Sequence, residues 1–267
     1  MGLRPYLSRL TASLVLVAVS MTVPLSAHAD DVPAAVAANF AAPMKAIAAA
    51  FTEATGHHVV VSTGATGALA AQIANGAPFE VFLAADAATP ARLETDGLAV
   101  AGTRRTYAVG RLALWSAKEG FVDATGAVLG TGVFAHLAIA NPKLAPYGAA
   151  AVASLRELGL LAAIEPRLVQ GENIAQAFQF VASGNAELGF VALSQVWRDG
   201  RFTSGSGWVV PDELHEPLGQ DAVLLARGAE RPAARALLAF LHGEQADAVM
   251  RSYGYEPAPE ASSALSR

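Results

Sequence analysis

The chain has 267 residues, a formal net charge of −5 and no cysteine. The lack of cysteine excludes a disulfide framework, a thiol nucleophile, a cysteine-ligated metal and a lipid anchor on an N-terminal cysteine. Hydrophobic residues make up 53% and charged residues 15% of the chain, which is typical of a protein that folds around a core. The acidic balance provides no electrostatic attraction for nucleic acid or for an anionic membrane.

Residues 1–29 are predicted to be a signal peptide. Arg4 and Arg9 provide a positive start, and the apolar run from Leu10 to Val23 is too short to span a bilayer. The stretch Ala27-His28-Ala29 fits a cleavage site of the small-x-small type. Export with cleavage after Ala29 is therefore expected, and an N-terminal membrane anchor is the alternative. Because the removed segment contains two arginines and no acidic residue, the net charge would change from −5 to about −7.

The remaining chain alternates between predicted strands and helices. In the first helix, Phe40, Met44, Ile47 and Phe51 are spaced to line one face, and Asn39 is predicted as its N-cap. Further helices are predicted from about residue 66 to 76, from 89 onward, and over 149–158, 173–184, 233–241 and 245–252. Strands are predicted at 32–38, 59–61, 79–83, 137–140, 167–169 and 188–192.

Two strand-like runs, 107–117 and 222–226, are predicted to connect two halves of the chain. The halves are residues 30–110 with 222–267 as a first lobe, and residues 111–221 as a second lobe. The alternation predicts an α/β fold in which each lobe is a mainly parallel sheet flanked by helices. A ligand cleft is expected between the lobes, because open α/β sheets bind ligands where strands end and helices begin. The tail from Glu256 onward is polar and predicted to be disordered.

Four strand-to-helix loops are candidate anion sites. The first amides of a helix lack internal partners, and the helix dipole adds partial positive charge there. Small residues allow an anion to approach the backbone, while Asn39, Thr66 and Tyr147 offer neutral donors. Asn, Thr and Gly at such positions are also ordinary caps and turns. The loops are Ala37-Ala38-Asn39-Phe40, Thr63-Gly64-Ala65-Thr66-Gly67, Ala145-Pro146-Tyr147-Gly148 and Gly171-Glu172-Asn173-Ile174.

The four loops contain no Lys or Arg, which argues against a phosphate site of the P-loop type. A site of neutral donors suits a dehydrated oxyanion that is released later, since charge-assisted bonds are about twice as strong. Catalysis has little support. The chain has no H-E-x-x-H and no G-x-S-x-G motif, and neither a nucleophile with a base nor a metal cluster can be assembled. The chain is therefore predicted not to be an enzyme and to need no cofactor or bound metal cation.

Eight stretches in the same order along the chain resemble the periplasmic molybdate-binding proteins of ABC importers, the ModA-type family. The resemblance covers Val36 to about Tyr255. The stretches are Ala38-Asn39-Phe40, Ala71-Gln72-Ile73-Ala74-Asn75-Gly76-Ala77-Pro78, Phe82-Leu83-Ala84-Ala85-Asp86, Leu112-Ala113-Leu114-Trp115-Ser116, Ala138-Ile139-Ala140-Asn141-Pro142, Ala145-Pro146-Tyr147-Gly148, Asn185-Ala186-Glu187-Leu188-Gly189-Phe190-Val191-Ala192-Leu193 and Arg251-Ser252-Tyr253-Gly254.

The resemblance implies a two-lobed binding protein of type II, located in the periplasm, with molybdate or tungstate held between the lobes. It also implies a membrane permease and an ATPase as partners, and a monomer is expected. Carried over residue by residue, Thr66 would bind through its hydroxyl and amide, while Asn39 and Ile174 would bind mainly through backbone N–H. Tyr147 would use its hydroxyl or its amide, and Asn173 would accompany Ile174.

Two positions depart from patterns in the family. Some relatives carry a hydroxyl residue where this chain has Ala38 or Asn39, and some place a tyrosine in the late strand where it has Val191-Ala192. These departures leave a second ligand class open, namely sulfate, thiosulfate or another oxyanion on the same fold. A secreted hydrolase is the remote alternative.

Overall fold

The computed structural model describes residues 29–258. Residues 1–28 of the predicted signal peptide and residues 259–267 of the predicted tail lie outside this range. The fold has two lobes, each built on one β-sheet with helices packed against it. This arrangement confirms the predicted two-lobed α/β fold.

The strands and helices take the following bounds. The strands are β1 (Asp31–Ala37), β2 (His58–Gly64), β3 (Val81–Leu83), β4 (Arg105–Gly110), β5 (Leu112–Ser116), β6 (Leu137–Ala140), β7 (Leu168–Gly171), β8 (Leu188–Ala192), β9 (Trp197–Arg198), β10 (Arg201–Phe202), β11 (Ser206–Val209), β12 (Leu218–Leu224) and β13 (Glu256–Pro257). The helices are α1 (Ala41–Thr55), α2 (Thr66–Ala74), α3 (Ala88–Thr95), α4 (Val128–Thr131), α5 (Pro146–Glu157), α6 (Leu161–Ile164), α7 (Ile174–Ala182), α8 (Leu193–Val196), α9 (Pro232–Phe240) and α10 (Glu244–Ser252).

The first lobe contains a six-stranded sheet in the order β13-β4-β12-β3-β1-β2. The second lobe contains a five-stranded sheet in the order β11-β5-β8-β6-β7. Only β2-β1-β3 and β7-β6-β8 are parallel, and the remaining neighbours are antiparallel. The sheets are thus more mixed than predicted. The strands β5 and β12, which follow the two crossings between the lobes, are antiparallel to their neighbours. The parallel strands are those that belong to strand–helix–strand units.

The chain crosses between the lobes at two places. The first is Arg111, which separates β4 from β5 and divides the predicted long strand 107–117. The second crossing lies before Leu218, whereas the sequence predicts that the second lobe extends to residue 221. The difference arises because residues 218–221 are already paired with β4 of the first sheet. At the C-terminus, Glu256–Pro257 pair with β4, so the predicted disordered tail is ordered at its start.

Each sheet is covered by apolar helix faces. In the first lobe Phe40, Met44, Ile47 and Phe51 are all fully buried, as their spacing predicts. Helix α1 ends at Gly56, which adopts φ 78°, a left-handed conformation that favours glycine. No single helix within residues 29–258 is long and apolar enough to cross a membrane, although the bent pair 146–157 and 161–167 passes by length and composition. This packing brings the starts of α2, α5 and α7, and the turn before α1, to the junction of the lobes.

Candidate functional site

A small cavity lies where these four helix starts meet. About 200 Å³ of space between protein atoms lies there, and part of it is open to solvent. All five residues singled out from the sequence line it, and most of the others are small. The lining residues are Ala37, Ala38, Asn39, Gly64, Ala65, Thr66, Ala85, Ala145, Pro146, Tyr147, Asn173 and Ile174.

Three of the four helical segments begin at the cavity with alanine in the N-cap position. Ala37 precedes the 3-10 turn 38–40 that leads into α1, Ala65 precedes α2 and Ala145 precedes α5. None of the three has a side-chain hydrogen bond to the helix amides. Alanine is a poor N-cap because it has no acceptor for the unpaired N–H groups. These starts therefore leave amides free to bond a ligand, at some cost in helix stability.

The fourth start is capped by Asn173. Its side-chain oxygen accepts hydrogen bonds from the amides of Ala175 at 3.0 Å and Gln176 at 3.1 Å. These two bonds satisfy the second and third amides of α7. The first amide, that of Ile174, has no intrahelical acceptor and belongs to a buried residue that lines the cavity. Asn173 thus orients the helix start and leaves one amide for the cavity.

Asn39 differs from its predicted role as an N-cap, because it lies inside the 3-10 turn that begins after Ala37. Its side chain turns into the protein, where Nδ2 donates to Oε1 of Gln220 and to the hydroxyl of Tyr255, both at 2.9 Å. Its carbonyl oxygen accepts from the hydroxyls of Ser194 at 2.8 Å and Tyr255 at 3.0 Å. The carboxamide is therefore occupied elsewhere, and the backbone N–H is the group that Asn39 can offer to the cavity.

Thr66 is the first residue of α2 and is almost completely buried. Its hydroxyl oxygen accepts a hydrogen bond from the amide of Ala85 at 3.0 Å. Because that bond uses a lone pair, the hydroxyl proton remains available as a donor. Thr66 can therefore direct both its hydroxyl and its backbone N–H into the cavity.

Tyr147 is the second residue of α5, whose start at Pro146 places it in the first turn, ahead of the predicted start at Ala149. Its hydroxyl oxygen accepts from Nε2 of Gln220 at 3.0 Å. Burial, together with the neighbouring Tyr255 and Tyr107, raises the pKa of Tyr147 well above its usual value. The phenol therefore stays protonated and can act as a donor at neutral pH, as can the amide at this second helical position.

Direct contacts between the lobes flank the cavity. The amide of Gly67 in α2 donates to the carbonyl of Leu144 in the second lobe at 2.9 Å. A Cβ at position 67 would lie 3.3 Å from the Leu144 backbone, so glycine allows this close approach. Ser194 and Tyr147 of the second lobe bond Asn39 and Gln220 of the first. The four helix starts are therefore held around the cavity from both sides.

No charged side chain is among the residues that line the cavity. Within residues 29–258, no group of three or more His, Asp or Glu side chains is placed to hold a metal ion. The electrostatic character of the cavity comes instead from converging helix starts, each equivalent to about half a positive charge. Such an arrangement is able to bind a small anion without a fixed cation.

Sequence reasoning did not identify Gln220, Tyr255 or Ser194, which surround Asn39 and Tyr147. Gln220 lies in β12, 181 residues after Asn39, and no local pattern marks it. Tyr255 follows the stretch Arg251-Ser252-Tyr253-Gly254, which contributed to the family resemblance without suggesting a role. Gln220 also lies outside the predicted strand 222–226, so nothing in the sequence indicated that it is buried.

Comparison with known proteins identifies the family. The profile of the family described as bacterial extracellular solute-binding protein matches residues 32–256. The molybdate-binding protein ModA of Azotobacter vinelandii is 61% identical over 230 residues, which cover 86% of this chain and 91% of that protein. The molybdate-binding protein ModA of Rhodobacter capsulatus is 51% identical over 247 residues, 92% of this chain and 96% of that protein.

This chain belongs to the ModA family of bacterial extracellular solute-binding proteins. A solved periplasmic molybdate-binding protein of Azotobacter vinelandii superimposes with a TM-score of 0.83 at 40% identity, covering 85% of this chain and all of that one. The sulfate-binding protein SubI of Mycobacterium tuberculosis shares the fold, with a TM-score of 0.70 at 14% identity over 88% of each chain. ModA proteins are solute-binding proteins of ABC importers and are not enzymes, which confirms the recognition and the prediction that the chain is not an enzyme.

Proposed function

We propose that this protein captures molybdate in the cavity between its lobes and delivers it to the permease and ATPase of an ABC importer. The observation that carries the proposal is the cavity formed by four helix starts without a charged side chain, in a member of the ModA family. The ligand-binding groups are the amides of Asn39, Thr66, Tyr147 and Ile174 and the hydroxyl of Thr66. Asn173 contributes by capping α7.

A site built from donors alone selects a fully deprotonated anion. A ligand that carried its own proton would direct a donor at a donor and lose a hydrogen bond. This property favours a dianion such as molybdate over the protonated form of phosphate. Sulfate is also a tetrahedral dianion, so the discrimination against sulfate must come from the size of the cavity. Tungstate, which resembles molybdate in size and charge, is expected to bind as well.

The proposal includes export and release of the mature protein. Cleavage after Ala29 would leave a chain that starts just before β1, and the mature protein would act in the periplasm as a monomer. The two lobes would close on the anion by a hinge motion. The first lobe consists of residues 30–110 with the returning strand and tail, and the second is the segment between the two crossings. Donors on both lobes bond the same ligand, so binding stabilises the closed arrangement.

The proposal is tested by calorimetric titration of the mature protein, residues 30–267, with molybdate, tungstate, sulfate and phosphate. We expect molybdate and tungstate to bind with one site per chain and much more tightly than sulfate or phosphate. Sulfate or phosphate binding as tightly as molybdate would contradict the assignment of the ligand. Absence of binding by any of the four anions would contradict the proposed oxyanion site itself.

A further inference from the structure

A network of buried polar side chains joins the two lobes directly behind the cavity. Its members are linked by hydrogen bonds of 2.8–3.2 Å, and all are buried. Four come from the first lobe and two from the second. The network consists of Asn39, Tyr107, Gln220 and Tyr255 with Tyr147 and Ser194.

Gln220 occupies the centre of this network and has no exposed surface. Its Oε1 accepts from Nδ2 of Asn39 and from the hydroxyl of Tyr107, both at 2.9 Å. Its Nε2 donates to the hydroxyl oxygen of Tyr147 at 3.0 Å. Because two donors converge on one end of the amide, the other end must face Tyr147. A single side chain therefore contacts one cavity residue from each lobe.

A β-bulge places Gln220 and Tyr107 on the same side of the sheet. The pairing of β12 with β4 passes from Gln220–Ala108 to Asp221–Thr106, which leaves Tyr107 as the extra residue. In a regular ladder Tyr107 would stand opposite Asp221 and face away from Gln220. Bulges frequently re-aim side chains beside functional sites. Here the bulge allows the Tyr107 hydroxyl to hold the Gln220 amide in one orientation.

We propose that Gln220 is a positioning residue that sets the affinity and the anion selectivity of the cavity without touching the anion. By accepting from the Asn39 side chain it keeps that carboxamide out of the cavity and the backbone N–H of Asn39 directed into it. By donating to the Tyr147 oxygen it holds the Tyr147 ring, and with it the first turn of α5, in place at the cavity. The inference rests on the proposed function of the cavity.

The coupling has a consequence for release of the ligand. Asn39 belongs to the first lobe and Tyr147 to the second, so their shared partner links donor geometry to lobe closure. Without the amide, the Tyr147 ring is no longer held from the first lobe, and the cavity can adapt to a smaller anion. Loss of Gln220 should therefore accelerate dissociation of molybdate and reduce discrimination against sulfate.

The test compares Gln220→Met, which keeps the volume and removes both hydrogen-bonding groups, with wild type and with Thr103→Val. Thr103 is a matched control, because its hydroxyl accepts from the amide of Leu224 in the same strand and lies outside the cavity. For Gln220→Met we expect the molybdate dissociation constant to rise about tenfold or more, the dissociation rate to rise with it, and the preference for molybdate over sulfate to shrink. Thr103→Val should change stability only.

A double-mutant cycle with Tyr147→Phe separates positioning from a general structural role. If Gln220 acts through the Tyr147 hydroxyl, the two substitutions impair the same interaction. The double variant should then lose less affinity than the product of the losses in the two single variants. Independent, multiplicative losses, or an unchanged molybdate-to-sulfate ratio in Gln220→Met, would overturn the inference.

Should Gln220→Met fail to fold, Tyr107→Phe provides the test, because it removes one of the two donors that hold the Gln220 amide. A weaker molybdate affinity and reduced selectivity in Tyr107→Phe would support the inference, and unchanged values would overturn it. If wild type itself does not bind molybdate, the proposed function fails. If wild type binds and the Gln220 variant binds equally well, only the positioning role fails.

Discussion

Thr66 and Asn39 each present donors to the cavity while a partner occupies the rest of the side chain. The Ala85 amide uses a lone pair of the Thr66 hydroxyl, and Gln220 with Tyr255 uses the Asn39 carboxamide. Both residues are almost completely buried. A buried polar group that lacks a partner is costly, so the same contacts that satisfy these side chains also determine which of their donors remain for the cavity.

Replacing Thr66 by Val should weaken molybdate binding about ten- to hundredfold, the effect of losing one hydrogen bond to a charged group. Stability should also fall by about 1–3 kcal/mol, because the Ala85 amide loses its acceptor. Thr66→Ser retains the hydroxyl and is the matched control, with affinity close to wild type. Calorimetric titration and urea unfolding measure the two effects. Equal affinity of the Val and Ser variants would remove the hydroxyl from the site.

The buried tyrosines give the stability a defined dependence on alkaline pH. Burial raises the pKa of Tyr255 to about 12 from an ordinary value of 10. Between these values the unfolded chain loses the proton while the folded protein keeps it, so stability falls as pH rises. Tyr255 should contribute a slope of about −1.4 kcal/mol per pH unit over this window and none below it. Urea unfolding at pH 9, 10 and 11 should therefore show a shallower decline for Tyr255→Phe than for wild type. Identical slopes would contradict the buried, neutral phenol.

At the scale of elements, the site depends on helix starts that differ in how they are capped. Three begin after alanine and leave their amides unpaired by side chains. The fourth is capped by Asn173, which satisfies two amides of α7 and leaves that of Ile174. A capping side chain at the other three positions would compete with the ligand for the same N–H groups.

Two substitutions at Asn173 distinguish the effect of helix capping from the effect of charge on anion binding. Asn173→Asp keeps an acceptor at the N-cap and should leave stability close to wild type, but its negative charge at the cavity wall should repel a dianion and weaken molybdate binding. Asn173→Ala removes the cap and should lower stability by about 0.5–2 kcal/mol. Thermal unfolding and titration of both variants check the pair. Tight molybdate binding by Asn173→Asp would show that the anion lies away from this helix start.

Much of this element arrangement could be predicted from the sequence, because it depends on local patterns. Apolar spacing marks α1, glycines mark helix ends, and small residues mark the four loops. The orientation of Asn39 could not be predicted, since its partners Gln220 and Tyr255 lie 181 and 216 residues further along the chain. The antiparallel strands were missed for a similar reason. The direction of a strand depends on which neighbour it pairs with, and a crossing strand carries no local mark of that choice.

The backbones of the two lobes meet beside the cavity. The Gly67 amide bonds the Leu144 carbonyl, and the β9–β10 hairpin of the second lobe contacts the end of α10, where the Asp199 amide donates to the carbonyl of Ser252 at 2.9 Å. These contacts lie outside the ligand itself. If the lobes close on a ligand as proposed, these contacts contribute to the stability of the closed arrangement.

Gly67→Ala should hinder this closure. The added Cβ would lie 3.3 Å from the Leu144 backbone, so the lobes must move apart by a few tenths of an ångström. We expect faster dissociation of molybdate and an affinity reduced several-fold, measured by stopped-flow chase with tungstate. Gly130→Ala is the control, because a Cβ there meets no atom within 4 Å. If both variants release molybdate at the wild-type rate, the contact at Gly67 does not limit closure.

We propose that a cavity without fixed cations holds a tetrahedral dianion by donors from both lobes. The most direct measurement is a crystal structure of the mature protein grown with molybdate, in which anomalous scattering locates molybdenum. We expect one molybdenum in the cavity, with its oxygens within hydrogen-bond distance of the Thr66 hydroxyl and of amides on both lobes, and no Lys or Arg nitrogen in contact. Molybdenum bound elsewhere, or held by a lysine or arginine that moves into the cavity, would contradict this mode of binding.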